Sequence, residues 1–126
     1  MPILDVEIVL GPDERLNPQL AAELADRVGE LLDAAPGTVW VKVRAIRTED
    51  YAENGIADLE VFPVFVSILK GRQLRGSERE AEVATLTSAI AEVCGRPAAN
   101  VHIVYEPDAS GRIAFGGVLF KDSSVD

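Results

Sequence analysis

A single cysteine, Cys94, and a single histidine, His102, are all that this chain offers of two residue types that commonly hold metals. One cysteine excludes an intrachain disulfide, and the pair together argues against a zinc cluster. Long apolar runs are missing too, because the longest, Val61 to Val66, is far too short to span a bilayer. We therefore expect no metal, no cofactor and no membrane-spanning segment.

Positive charge is also scarce, with 12 Lys and Arg against 21 Asp and Glu and a net charge of −9. This balance argues against nucleic acid or an anionic membrane as the partner. The N-terminal residues lack the basic and then apolar regions of a signal peptide, so we expect a cytoplasmic protein. Three of the few cations, Lys70, Arg72 and Arg75, stand close together and favour binding of a small anion.

Apolar spacing in the first half of the 126 residues predicts a strand, a helix and a second strand. Ile3 to Leu10 reads as the first strand, and Asn17 with Pro18 is typical of a helix start. Alternating apolar and polar residues then predict a half-buried strand around residues 39–44. Residues 2–47 are thus expected to form one βαβ unit.

The same pattern recurs about 60 residues later, which indicates a duplication. Val61 to Leu69 reads as a strand, Ser77 with Glu80 as a helix capping box, and Val101 to Tyr105 as the returning strand. Residues 61–106 would form the second βαβ unit, and 113–120 a C-terminal hairpin. We expect a single domain over residues 1–126.

Right-handed crossovers would place both helices on one face of a four-stranded mixed sheet, an α+β fold. The opposite face would carry a mixture too charged for a dry core and too apolar for bulk water. Its members are Asp5, Glu7, Trp40, Lys42, Arg44, Phe65, Ser67 and His102. Such a face predicts an oligomer with a partly wet interior and with Trp40 at the subunit interface.

Four features are informative together, namely the order of these elements, the Met1-Pro2 strand start, the segment Ser67 to Arg72 and the segment Ala114 to Gly117. In these four features taken together, the chain resembles the tautomerase superfamily. Its smallest members, such as 4-oxalocrotonate tautomerase, are one βαβ unit. Longer members, such as macrophage migration inhibitory factor, carry two units and form trimers. The resemblance covers nearly the whole chain and implies a homotrimer that acts on a small carboxylate substrate.

The resemblance also implies roles for particular residues. Pro2 matches the catalytic N-terminal proline, whose free secondary amine acts as a general base once Met1 is removed. Arg72 matches an arginine that binds the substrate carboxylate, with Lys70 and Arg75 as further candidate cations. The remaining candidate substrate-binding residues are His102 and the apolar pair Ile113 and Phe115. Relatives have an arginine or tyrosine at the position of His102, and that side chain enters a neighbouring subunit's site. Alternatively, His102 lies in the interior channel with Glu7 or Asp5 as its partner. By the same repeat, Phe62 replaces Pro2 and Pro12 replaces Arg72 in the other half, so we expect one working site per chain.

Three functions stay open on the sequence. The first is a cofactor-independent isomerase that interconverts keto and enol forms of a 2-oxo or 2-hydroxydienoate carboxylate. The second is a hydratase, dehalogenase or decarboxylase on the same scaffold. The acids that the dehalogenase and the decarboxylase use fall on Ala114 and Thr38, which favours the isomerase. The third is a binding protein without turnover, which retention of Met1 would support, since an acylated proline nitrogen is not a base.

Overall fold

A computed structural model describes residues 2–122. Residues 123–126 lie outside the described part, and so does Met1, whose removal the proline chemistry requires. The sheet strands are β1 (Ile3–Val9), β2 (Trp40–Ile46), β3 (Val64–Leu69) and β4 (Val101–Tyr105). Two helices, α1 (Leu20–Leu31) and α2 (Gly76–Cys94), connect them, and β5 (Ala114–Phe115) with β6 (Val118–Leu119) forms the C-terminal hairpin. No helix among residues 2–122 is long and apolar enough to cross a membrane.

The four strands lie in the order β2-β1-β3-β4. The pairs β1–β2 and β3–β4 are parallel and belong to the two βαβ units, and β1–β3 joins the units antiparallel. The predicted four-stranded mixed sheet is therefore confirmed.

Both helices cover one face of the sheet, where alternate strand residues form the core. Leu4, Val6 and Ile8 of β1 lie beside Val64, Val66 and Ile68 of β3, and all six are buried. Helix α1 contributes Leu20, Leu24 and Val28, and α2 contributes Leu86 and Ile90. Every second residue of the strands, and residues three or four apart on the helices, point into the same space. Their side chains form one core layer between the sheet and the helices.

The opposite face of the sheet carries the predicted charged and aromatic mixture. Lys42 Nζ lies 3.1 Å from Asp5 Oδ1, and Arg44 Nη2 lies 3.4 Å from Glu7 Oε2. The strand register sets each cation of β2 beside an acid of β1. The charges on this face of the sheet are therefore paired between neighbouring strands.

Three element starts differ from the sequence prediction. Strand β3 begins at Val64, because Pro63 has no N–H for the ladder and contributes only its carbonyl, which accepts from Val9 N at 3.0 Å. Helix α1 begins at Leu20, since Asn17 Oδ1 accepts from Gln19 N in a turn before the helix. The Ser77 capping box is wrong: α2 already begins at Gly76, and no side chain caps it.

Candidate functional site

One end of the sheet gathers the start of β1, the start of β2 and the end of β3. Pro2 lies immediately before β1 and is buried, and its carbonyl accepts a hydrogen bond from Trp40 N at 3.0 Å. The strand pairing thus reaches back to Pro2 itself. Sequence periodicity could predict that β1 begins near here, and the pairing fixes Pro2 within the sheet.

Lys70 is the residue across from Pro2. Strands β1 and β3 pair with Ile3 opposite Leu69, so the same antiparallel register continued by one residue sets Pro2 opposite Lys70. Both follow the parity of the core residues Leu4 and Ile68, which places them on the helix-covered face. Directly opposed residues of an antiparallel pair have Cα atoms about 4.5–5.5 Å apart.

The Lys70 ammonium is held by a carboxylate of helix α2. Lys70 Nζ lies 2.6 Å from Glu82 Oε2, and the two side chains are 16% and 9% exposed. The second oxygen, Glu82 Oε1, accepts from the Tyr105 hydroxyl at 2.9 Å. A strand end, a helix and a neighbouring strand thus meet at one carboxylate.

Tyr105 remains a hydrogen-bond donor over the whole working pH range. Burial and the hydrogen bond to Glu82 hold the pKa of its phenol well above the ordinary value. The Arg79 guanidinium lies over the phenol ring at 5.1 Å from the centroid and donates to Leu74 O. The ring is therefore fixed between a carboxylate and a cation.

The loop after β3 carries the other two predicted cations. Arg72 Nε lies 3.7 Å from Asp122 Oδ2, and the Arg72 side chain is half exposed. Arg75 Nη2 lies 2.9 Å from Asp108 Oδ2 with 73% of the side chain exposed. Both guanidinium groups thus have a carboxylate partner, Asp108 for Arg75 and Asp122 for Arg72.

Gln73 fixes this loop and was missed by the sequence reading. Its side chain is buried, and Nε2 donates to the carbonyls of Ile68 at 3.0 Å and Glu106 at 3.1 Å. Its backbone N–H donates to Asp108 Oδ1 at 2.9 Å. No periodic pattern in the Gly71–Gly76 segment distinguishes a buried glutamine from an exposed one, so only the fold reveals it.

Glu82 was missed as well, although the sequence carried a signal. It precedes the core residues Leu86 and Ile90 at intervals of four, so it belongs to the apolar stripe of α2. A carboxylate in that stripe requires a buried partner. The sequence does not say which cation supplies it, because Lys70 lies on another element.

Aromatic rings border this end of the sheet. Phe115 packs edge-on against Trp40 at 5.6 Å between centroids and against Phe120 at 6.1 Å. Phe120 in turn lies so close to Gly71 that a Cβ there would meet its ring at 3.0 Å. Ile113, half-buried, accepts from Phe120 N through its carbonyl at 2.8 Å. The hairpin thus brings the predicted apolar pair to the Pro2 end.

His102 lies elsewhere in its own chain. It is the second residue of β4, pairs in register with Phe65 and faces the open side of the sheet, with its ring 5.5 Å from that of Phe65. Pro2 is at the opposite end of the sheet and on the other face. A role for His102 in a neighbouring subunit's site stays a prediction.

The pseudo-equivalent site in the other half is occupied by protein. Phe62 lies against Gly11, where an added Cβ would meet its ring at 3.2 Å. Arg96, only 10% exposed, donates to Phe62 O and Val9 O and lies 2.8 Å from Glu14 Oε1. The Arg96 hydrogen bond is the main reason that the pKa of Glu14 lies below its ordinary value. The Phe62 ring and the Arg96–Glu14 ion pair thus occupy the place in this half that corresponds to Pro2 and its neighbouring cations in the candidate site.

Comparisons with known proteins agree with this architecture. No protein-family model and no curated protein matches the chain. Solved structures do match, and macrophage migration inhibitory factor from Oncomelania hupensis is one of them. It is 17% identical with a TM-score of 0.73, and the match covers 99% of this chain and 86% of that one. The chain has the tautomerase superfamily fold.

Two further solved structures share this fold. A fused 4-OT, solved as a symmetric trimer, is 18% identical with a TM-score of 0.71 and coverage of 98% of this chain and 99% of that one. FG41 malonate semialdehyde decarboxylase, inhibited by 3-bromopropiolate, is 19% identical with a TM-score of 0.63 and coverage of 90% and 88%. The shared fold therefore spans proteins with different names and chemistry.

Proposed function

We propose that the chain, once Met1 is removed, is a cofactor-independent keto–enol tautomerase of a small 2-oxo or 2-hydroxydienoate carboxylate. The observation that carries the proposal is the position of Pro2. It is buried at the start of a central strand, across from Lys70 and at the end of the sheet that carries Arg72. The tautomerase superfamily fold supports the same reading.

The proposed chemistry needs only a proton carrier and an anion site. The neutral Pro2 amine removes a proton from the carbon beside the substrate carbonyl, or from the enol hydroxyl in the reverse direction, and the resulting ammonium returns a proton to another atom of the enolate. Arg72 binds the carboxylate through its planar guanidinium. Nearby positive charge disfavours the protonated amine, so the pKa of Pro2 should lie below that of an unperturbed terminal amine.

A decarboxylase or hydratase is supported less well by the side chains at this end of the sheet. Thr38 donates its hydroxyl to Ala35 O, and Ala114 has no acidic group. Glu82, the carboxylate that approaches Lys70, already accepts hydrogen bonds or ion pairs at both oxygens. An acid engaged in this way is a poor base for water, which favours proton transfer by Pro2.

We further propose a homotrimer. The open face of the sheet exposes 48% of Trp40 and 60% of Val104 beside its paired charges. Large exposed apolar side chains on one face are typical of an interface. The fused 4-OT with the same fold is a symmetric trimer.

The test of the enzymatic proposal uses protein whose intact mass shows that Met1 is absent. We expect it to convert the enol of phenylpyruvate to the keto form. Pro2→Ala should lose most of this activity, because the primary amine of alanine differs from the secondary amine of proline in basicity and placement. Protein that retains Met1 should be inactive because its Pro2 nitrogen is an amide. Wild-type turnover by either form would show that Pro2 is not the base and would favour a binding protein.

A further inference from the structure

We propose that Glu82 is a positioning residue that balances the charge of Lys70 beside Pro2 and thereby sets how basic the Pro2 nitrogen is. This inference rests on the proposed role of Pro2 as the general base. It assigns a function to a carboxylate that touches neither the substrate nor the amine. The paired Lys70 then contributes little net field at the amine, and Arg72 is the proposed ligand of the substrate carboxylate.

The contacts of Glu82 define what it can do. Its side chain is 9% exposed, with Lys70 Nζ 2.6 Å from one oxygen and the Tyr105 hydroxyl 2.9 Å from the other. Charge pairs in such a poorly solvated place are screened much less than surface pairs. The pair therefore presents a small net field to its surroundings, whereas Lys70 alone would present a full positive charge.

The position of Lys70 makes that field relevant to Pro2. The two residues are opposed in the register of β1 and β3 and lie on the same face of the sheet. At an effective dielectric constant of about 20, a unit charge about 8–10 Å away shifts a pKa by about one unit. An unbalanced ammonium at this place would therefore lower the pKa of the amine measurably.

The other charged groups around this end of the sheet are mostly paired. Arg72 lies near Asp122, Arg75 near Asp108, and Arg79 over the Tyr105 ring. Helix-facing residues of the neighbouring strands are apolar, as Leu4 and Val41 show. Other ionisable residues on adjoining segments include Glu30 and Asp33 near the end of α1, Glu78 and Glu80 at the start of α2, Glu106 after β4, and Arg112 and Lys121 near the hairpin. Glu82 is the acid among the described residues that contacts Lys70.

The inference predicts opposite effects for the two partners. Glu82→Gln keeps the shape and leaves an acceptor for Tyr105, but it removes the negative charge. The pKa of the Pro2 amine should then fall by about half to one unit, because an extra positive charge disfavours the ammonium. Lys70→Met should raise that pKa by a similar amount. The double variant should return close to the wild-type value, because it removes a neutral pair.

The measurement is a ¹⁵N-proline NMR titration of Met1-free protein. The chain has 7 prolines, and only an N-terminal one can be an amine, so its titrating signal stands apart from the amide nitrogens. Glu14→Gln is the matched control. It removes the same charge and breaks the ion pair of Glu14 with Arg96. Glu14, however, lies beyond the far end of the seven-residue strand β1, about 20 Å or more from Pro2. It should change the Pro2 pKa by less than about 0.2 units.

A pKa in Glu82→Gln that stays at the wild-type value or rises overturns the inference, and so does a double variant that keeps the full shift of Glu82→Gln. If Glu82→Gln does not fold, Lys70→Met and the double variant decide, since the first must raise the pKa and the second must cancel that rise. The titration needs no turnover. A protein with the predicted shifts but no tautomerase activity would overturn the proposed function alone, whereas active protein without the shifts would overturn only this inference.

Discussion

The backbone N–H of Gln73 donates to Asp108 Oδ1 at 2.9 Å, which joins the loop that carries Arg72 to the segment after β4. The Gln73 side-chain amide adds hydrogen bonds to Ile68 O and Glu106 O, which hold the same two segments together. The candidate anion site is thus built on a loop anchored by a buried side chain.

Replacement of Gln73 by Met should loosen this loop. Two carbonyls would lose their donor, which costs about 2 kcal/mol or more and lowers the melting temperature by about 6–10 °C. KM for a carboxylate substrate should rise, while the Pro2 pH midpoint stays unchanged. Calorimetry and kinetics check both. Gln19→Met, at an exposed position before α1, is the control and should change neither quantity.

Arg72→Ala should raise KM and lower kcat/KM about 10- to 100-fold, the range expected for loss of a charged hydrogen bond. Arg75→Ala should do less, because Asp108 already holds that guanidinium at 2.9 Å. Steady-state kinetics with a 2-oxo acid measure the difference. Equal and negligible effects would mean that the anion binds elsewhere.

Assembly can be tested on the open face of the sheet. Val104→Glu introduces a charge at a side chain that is 60% exposed in the single chain, so the fold should tolerate it. A trimer that encloses this face should dissociate or weaken because the carboxylate would be desolvated. Light scattering at micromolar concentration measures the mass. Ala22→Glu, on the exposed side of α1, should leave it unchanged, and a monomeric wild type would refute the trimer.

Glu14 should make stability fall in acid. Its pKa is lower in the folded state than its ordinary value of 4.5, chiefly through the Arg96 hydrogen bond, so the folded state binds this proton less readily than the unfolded state does. The stabilisation is present above the ordinary pKa and is lost as pH falls through the folded value. Urea unfolding of Glu14→Gln should show a weaker acid dependence than wild type. Glu30→Gln, an exposed change of the same charge, should not.

Cys94 should be unreactive in the folded protein. Burial raises the pKa of its thiol to about 11, so only about 0.1% is thiolate at pH 8. Iodoacetamide labelling followed by mass spectrometry should be slow, should accelerate up to about pH 11, and should become fast at pH 8 once the chain is unfolded in guanidinium. Rapid labelling of folded protein at pH 8 would contradict this account.

Local periodicity was enough to predict the sheet and the face that each strand residue occupies. Alternation along Val39 to Arg44 predicted which side of β2 is covered, and the repeat of the two halves predicted a four-stranded mixed sheet. The helix starts were less predictable because they depend on one or two residues. Gly76 adopts φ +54° and begins α2 before Ser77 can cap it.

The site was predictable only in part, for a physical reason. Residues such as Pro2 and Arg72 stand out by their chemistry and their place beside a strand. The buried residues around them do not, since Glu82 approaches Lys70 from helix α2 and is 12 residues further along the chain. The occupied second site shows the same limit. The repeat predicted the loss of proline and arginine, but not that Arg96 would fill the space.

The side chains that fill the pseudo-equivalent site suggest that the two halves of the chain have different roles. Phe62, Arg96 and Glu14 join the end of β1 to the segment after α2 and the entry to β3. Under the proposed function this half performs no chemistry, so its residues can be selected for rigidity alone. The open half can then keep a buried amine and a poorly solvated ion pair, both costly to stability, because its twin holds the scaffold together. Reopening the closed half by mutation would therefore weaken the whole chain before it created a second catalyst.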